Sequence, residues 1–288
     1  MTVSSSPAQP DLAALLPQDL VAELLALGRS CGAEFAEIYG EHTLVTAFTL
    51  DEDRLKTSQL SVMQGVGVRA VVGEQTGYAY ADGFAPADLR EAARVASSIA
   101  RDGRGSPTRV AATASATFRV VDAPAPFTLA HPFPAVRDEP SRIAMCRRAN
   151  ESARGHDGRI HEVSVSLADS SKTFVVANSE GVWAEDRQFL SRLTVSALAL
   201  EGDNRQQGFA AGGGSVEAEY FDRERPPEAI ATEAAGIAIT LLGAREPEAG
   251  AYPVVVGPGW GGVLVHECFG HSMEGDTIRK RTSIRAGQ

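Results

Sequence analysis

The stretch His266-Glu267-Cys268-Phe269-Gly270-His271 concentrates the side chains of this sequence best suited to metal chemistry. In the H-E-x-x-H pattern, two histidines four apart share one helix face and chelate a single zinc ion. Here the histidines are five apart, which on an ideal α-helix turns them about 140° from each other. A local widening to i→i+5 hydrogen bonding, a π bulge, would return both rings to one side. Gly270, just ahead of the second histidine, makes such a distortion cheap. Glu267 stands beside the first, where a carboxylate can take a proton from a water at the ion. Catalytic zinc usually takes three protein ligands, and the chain offers no evident third. Cys268 faces elsewhere if both rings converge. Spacing alone also admits ordinary buried or helix-end histidines.

Around this core, Glu274 and Asp276 are candidates to orient an imidazole N–H from behind, or else form a solvated acidic helix end beside Arg279 and Lys280. Trp260 and Tyr78 are candidates to line a substrate groove, with core packing the better reading for each. His156 and His161 repeat the five-residue spacing but straddle a turn and a strand start, as surface residues would. Gly257, Gly259 and Gly262 form G-x-G-x-x-G after the apolar run YPVVV, the setting of a dinucleotide-binding turn. No parallel strand follows to carry a ribose-binding acid, so that oxidoreductase reading is weak. No G-x-S-x-G elbow is present, and Cys268 between histidines is not a positioned triad.

These residues have to be held by a globular scaffold. Of the 288 residues 43% are hydrophobic and 22% charged, as in soluble domains. A net charge of −10 argues against nucleic-acid binding, which needs a basic face. The start carries no signal-peptide pattern, and the most apolar helical run, 229–244, contains Glu233 and is too short to span a bilayer. Cys31, Cys146 and Cys268, odd in number and widely spaced, fit reduced thiols in the cytoplasm; Cys31 and Cys146 read as buried small hydrophobes.

Periodicity predicts helices over 17–29, 88–101, 139–156 and 226–244, the last beginning after Pro226-Pro227. Strands are expected in 35–50, in a pair turning between Gly73 and Gly77, in FRVVD inside a long loop over 103–138, and in three segments between 160 and 203. A further strand is expected in AYPVVVGPG, running into the histidine segment. A weak internal echo relates VGVRAVVGEQTGYAYADG to LTVSALALEGDNRQQGFAAGGG: strand, polar turn, Gly-aromatic-Ala, then a helix. The expected fold is α+β, a layered mixed or antiparallel sheet with flanking helices and a weak internal duplication. Its expected parts are a flexible tail over 1–16, an α+β domain over 17–244, and a strand plus the HExxxH helix over 245–288.

The run GxGWGGVLVHExxGHxxEGDxxRxxTS, with QGVGVRAVVGEQTGYAYAD upstream, resembles the TldD/PmbA family, closer to its TldD members. That resemblance implies a zinc-dependent peptidase with His266 and His271 as metal ligands and Glu267 as catalytic base. It also implies a related TldE/PmbA-like partner lacking HExxxH, and unfolded or small peptides as substrates. By the same resemblance the third ligand is a cysteine in a C-terminal β-rich half that none of Cys31, Cys146 and Cys268 supplies. The activity of this chain alone is therefore in question. The alternative is a non-catalytic binding or assembly module of such a two-subunit complex. Neither reading needs DNA contact or a membrane.

Overall fold

The structure, a computed structural model, describes residues 9–102, 117–120, 138–216 and 219–287. It divides between Ala244 and Arg245 into two compact units. The first opens with the helical turn α1 (Leu12–Leu15) and α2 (Gln18–Gly28), followed by β1 (Phe35–Asp51), β2 (Arg54–Val72), β3 (Gln75–Ala81) and α3 (Pro86–Asp102). After the two-residue β4 (Arg119–Val120) come α4 (Glu139–His156), β5 (Ile160–Asn178), β6 (Val182–Glu201), β7 (Asn204–Gly214), α5 (Tyr220–Arg223) and α6 (Pro227–Leu242). Most of the loop expected over 103–138 lies outside the described residues. Where a flexible segment was expected, Leu12 and Leu16 are buried.

The strands form one sheet in the order β3-β2-β1-β5-β6, with β4 and β7 both on β6. Every pairing is antiparallel except that of β4 with β6. Side chains alternate across a strand, and in β1 the buried positions Ala36, Ile38, Phe48 and Leu50 all fall on one face. At one end Ala36 and Ile38 pack with α1, α2 and α3. At the other, Phe48 and Leu50 pack with α4 and α6. The helices thus cover a single face, and the opposite face is open, with Tyr78, Tyr80, Leu190 and Phe209 more than half exposed. Tyr78 is therefore not a core residue.

The internal echo has a structural counterpart. β1-β2-β3-α3 and β5-β6-β7-α6 are two copies of one unit, joined along the β1–β5 ladder. A glycine in each outer strand meets the following helix backbone to backbone. A Cβ on Gly77 would lie 1.9 Å from Ala96 O, and one on Gly208 1.9 Å from Ala234 O. Only glycine permits that approach, and the next residue, Tyr78 or Phe209, points to the open face. The duplication therefore rests on a shared packing device as well as on shared strand order.

Capping and turn chemistry set the boundaries. Asp138 accepts a hydrogen bond from Ser141 N at 2.9 Å to start α4, with Pro140 in its first turn. The β1–β2 hairpin turns on Glu52 and Asp53, both at positive φ, as a two-residue type I′ turn requires. The buried Asn150 of α4 donates to Asp53 Oδ1 at 3.1 Å and ties that turn to the helix layer.

The second unit, from Arg245, is short helical turns: α7 (Gly261–Val265), a π turn (His266–Gly270), a 3-10 turn (His271–Met273) and α8 (Gly275–Arg279). The strand expected in AYPVVVGPG is absent. Residues 251–257 have no regular structure and their side chains are exposed. β-branched residues favour a strand only where a ladder partner and a covering layer exist, and Val254, Val255 and Val256 have neither among the described residues. The dinucleotide reading of Gly257, Gly259 and Gly262 loses its strand with it.

Candidate metal centre

The π turn lies on the motif itself: His271 N donates to His266 O, the i→i+5 bond that widens the helix. The histidine rings come together with centroids 4.4 Å apart and planes inclined at 61°. Ligand-capable atoms of His266, Glu267 and His271 all lie within 4.8 Å of one another. Two converging imidazoles fit a divalent transition-metal ion, with the Glu267 carboxylate close enough to act as a further donor or as a base beside the ion. Cys268 is exposed and does not join the group. Gly270 serves differently from the expectation. Its φ of −57° and ψ of −54° are ordinary helical values, but a Cβ there would press on His266 Nδ1 at 3.0 Å. Glycine gives the first ring room.

Electrostatically the site is acidic around His271. Its Nδ1 lies 2.7 Å from Glu274 Oε1 and its Nε2 3.5 Å from Glu267 Oε2. The hydrogen bond to Glu274 raises the His271 pKa above its ordinary value, with the Glu274 and Glu267 charges adding to the effect. Asp276 faces Lys280 instead, at 3.7 Å. Trp260 is 88% exposed, so the core role expected for it is not observed.

Sequence reasoning missed the segment that holds the turn from behind. Ser272 Oγ donates to Phe269 O at 2.7 Å, and Ser283 Oγ donates to Ser272 O. Arg285 Nε reaches Ser272 Oγ at 3.2 Å while its guanidinium stacks 4.6 Å over the Phe269 ring. No spacing rule announces this clasp, because it depends on the chain reversing at Arg281, which has positive φ. His156 and His161 are exposed, and Cys31 and Cys146 buried, each as expected. Burial pushes the Cys146 thiol up to about 11, with Asp169 adding to it.

The class this describes is an α+β protein with a largely antiparallel sheet, followed by HExxxH on a π turn, and relatives identify the family. Residues 36–100 match the PmbA/TldA metallopeptidase domain 1 and residues 134–242 the PmbA/TldA metallopeptidase central domain. A metalloprotease TldD homologue from Haemophilus influenzae is 32% identical over 259 residues, 88% of this chain and 52% of that protein. One from Buchnera aphidicola of Acyrthosiphon pisum is 29% identical, with 87% and 52% covered. The crystal structure of TldE from Thermococcus kodakarensis superposes with a TM-score of 0.64 at 16% identity, covering 93% of this chain and 58% of that one. The chain belongs to the PmbA/TldD family. It spans about half the length of these two curated relatives. No helix among the described residues is long and apolar enough to cross a membrane.

Proposed function

We propose that this chain is a TldD-like subunit of a zinc-dependent peptidase that hydrolyses unfolded or small peptides in the cytoplasm together with a TldE/PmbA-like partner. The observation that carries the proposal is the convergence of His266, Glu267 and His271 on a π turn. His266 and His271 would hold the ion. When bound, zinc supplies Lewis-acid polarisation of the scissile carbonyl and lowers the pKa of water at the site. Glu267, exposed and next to the first ligand, takes the proton from the attacking water and returns it to the leaving amine. Two histidines leave the protein ligand set incomplete. By the family resemblance the third ligand would be a cysteine, and none of Cys31, Cys146 and Cys268 supplies it.

A second reading is favoured by the same incompleteness: a binding or assembly module whose histidines carry no ion. Elemental analysis of the purified chain separates the two, alongside His271→Ala. About one zinc per chain, lost in the variant, is expected for the peptidase; no zinc in either favours the module. In an enzyme assembled with partner and full-length chain, Glu267→Gln should abolish peptide hydrolysis, a loss on the order of 10²–10⁴-fold, while peptide and partner binding persist.

A further inference from the structure

The metal-site motif contains two histidines whose surroundings differ. Around His266 the neighbours are the His271 ring and the space left by Gly270. His271 is gripped on one nitrogen: Nδ1 lies 2.7 Å from Glu274 Oε1. A carboxylate only accepts, so a neutral His271 in this contact carries its proton on Nδ1. Its lone pair is then on Nε2, the nitrogen that faces the Glu267 side of the donor group. The backbone geometry makes the grip a built feature. Glu274 is in extended conformation between the 3-10 turn and α8, with ψ at 135°. Its carbonyl accepts from Thr277 Oγ1 at 2.9 Å and from Ile278 N at 3.0 Å. The carboxylate is thereby swung back toward His271 rather than out along α8. Ser283 and Arg285 also pin Ser272, one of the two residues between His271 and Glu274.

We infer that Glu274 is a positioning residue: it fixes His271 as the Nδ1–H tautomer and so presents Nε2 to the ion. The inference rests on the metal-site reading above and deepens it. Imidazole ligands whose other nitrogen is held by a carboxylate are stronger and better oriented, and loss of such a partner typically weakens metal affinity about 10–100-fold. Asp276, two residues further and paired with Lys280, has no such role.

The test uses the whole chain with ¹⁵N-labelled histidine. Nitrogen shifts of His271 are read in the metal-free protein at alkaline pH, and zinc affinity is measured by chelator competition. Wild type should show the Nδ1–H tautomer. Glu274→Ala should shift it toward a mixture and weaken zinc about 10–100-fold. Glu274→Gln keeps an acceptor oxygen and should restore much of both, while Asp276→Asn should change neither. An unchanged tautomer and zinc affinity in Glu274→Ala would overturn the inference. Equal losses in Glu274→Gln and Asp276→Asn would also overturn it, since they would point to general charge or folding effects. A wild type that takes up no zinc but shows a Glu274-dependent tautomer would favour the module over the peptidase reading and leave the hold on His271 standing.

Discussion

His42 sits on the helix-covered side of β1, only 8% exposed, with Nδ1 2.8 Å from Gln9 Oε1. Gln9 in turn donates to Ser171 on β5, so a residue outside the repeats seals the middle of the sheet. Nearby, Arg142 of α4 reaches Thr46 at 2.5 Å and Asp169 at 3.3 Å, and Ser191 donates to Asp169 at 2.6 Å. Most buried polar groups are partnered, and these side chains partner one another across three strands and a helix. Burial lowers the His42 pKa below its ordinary 6.5. Above that value the imidazole is neutral in folded and unfolded chains alike. As pH falls below it the unfolded chain binds the proton first, so stability drops until the folded imidazole also titrates. Urea melts across this window should show a slope of at most about 1.4 kcal/mol per pH unit from this group. His42→Gln, which can still bond Gln9, should remove that component. Identical slopes in both proteins would mean the imidazole stays solvated in the fold.

At the scale of elements, the paired glycines make the sharpest test. Gly77→Ala and Gly208→Ala each push a methyl into a helix backbone that has no side chain to move aside. Each should destabilise by about 1–3 kcal/mol, as overpacked cores do. Gly155, in the last turn of α4 with nothing within 4 Å of its Cβ position, is the contrast: Gly155→Ala should be neutral or stabilise by up to about 1 kcal/mol. Denaturant midpoints for the three variants decide it. A tolerated alanine at either close contact would mean that α3 or α6 can lift from its strand. The same elements explain what was legible in the chain. α4 and α6 carry proline in the first turn and a regular apolar stripe, so their limits could be read closely. The polar ADSSK run interrupts the alternation of β5 and splits it into two strand candidates, yet β1 pairs with it continuously from Ser164 to Asn178. The first half of β2, RLKTSQLSVM, gave no strand signal at all. Neither of its faces is buried, and burial is what imprints alternation on a sequence. At the candidate site the five-residue spacing led to the π turn, whereas the Ser283–Arg285 clasp depends on tertiary contact alone.

Taken as a whole, the chain contrasts a unit with extensive buried cores and a unit with none. Among the described residues from Arg245 onward, none is buried, and Val255, Trp260 and Ile284 are more than four-fifths exposed. Little apolar burial leaves the helical turns of 261–279 dependent on local hydrogen bonds, which open at low free-energy cost. The ladders of β5 and β6, flanked by strands and covered by α4 and α6, should open only with the whole sheet. Amide hydrogen exchange should therefore separate the two: slow at 163–177 and 193–199, fast at 261–279. Zinc binds folded donors that the open turn does not hold in place, so it should stabilise the turn by mass action. It should slow exchange across 266–274 and leave the sheet amides unchanged. Protection spread evenly over both units would locate the ion away from His266 and His271. Slow exchange at 261–279 without metal would mean that the turn is held by more than the contacts seen here. The predicted pattern would instead describe a metal centre carried on a marginal element, in which ligand binding, rather than a local core, orders the residues that do the chemistry.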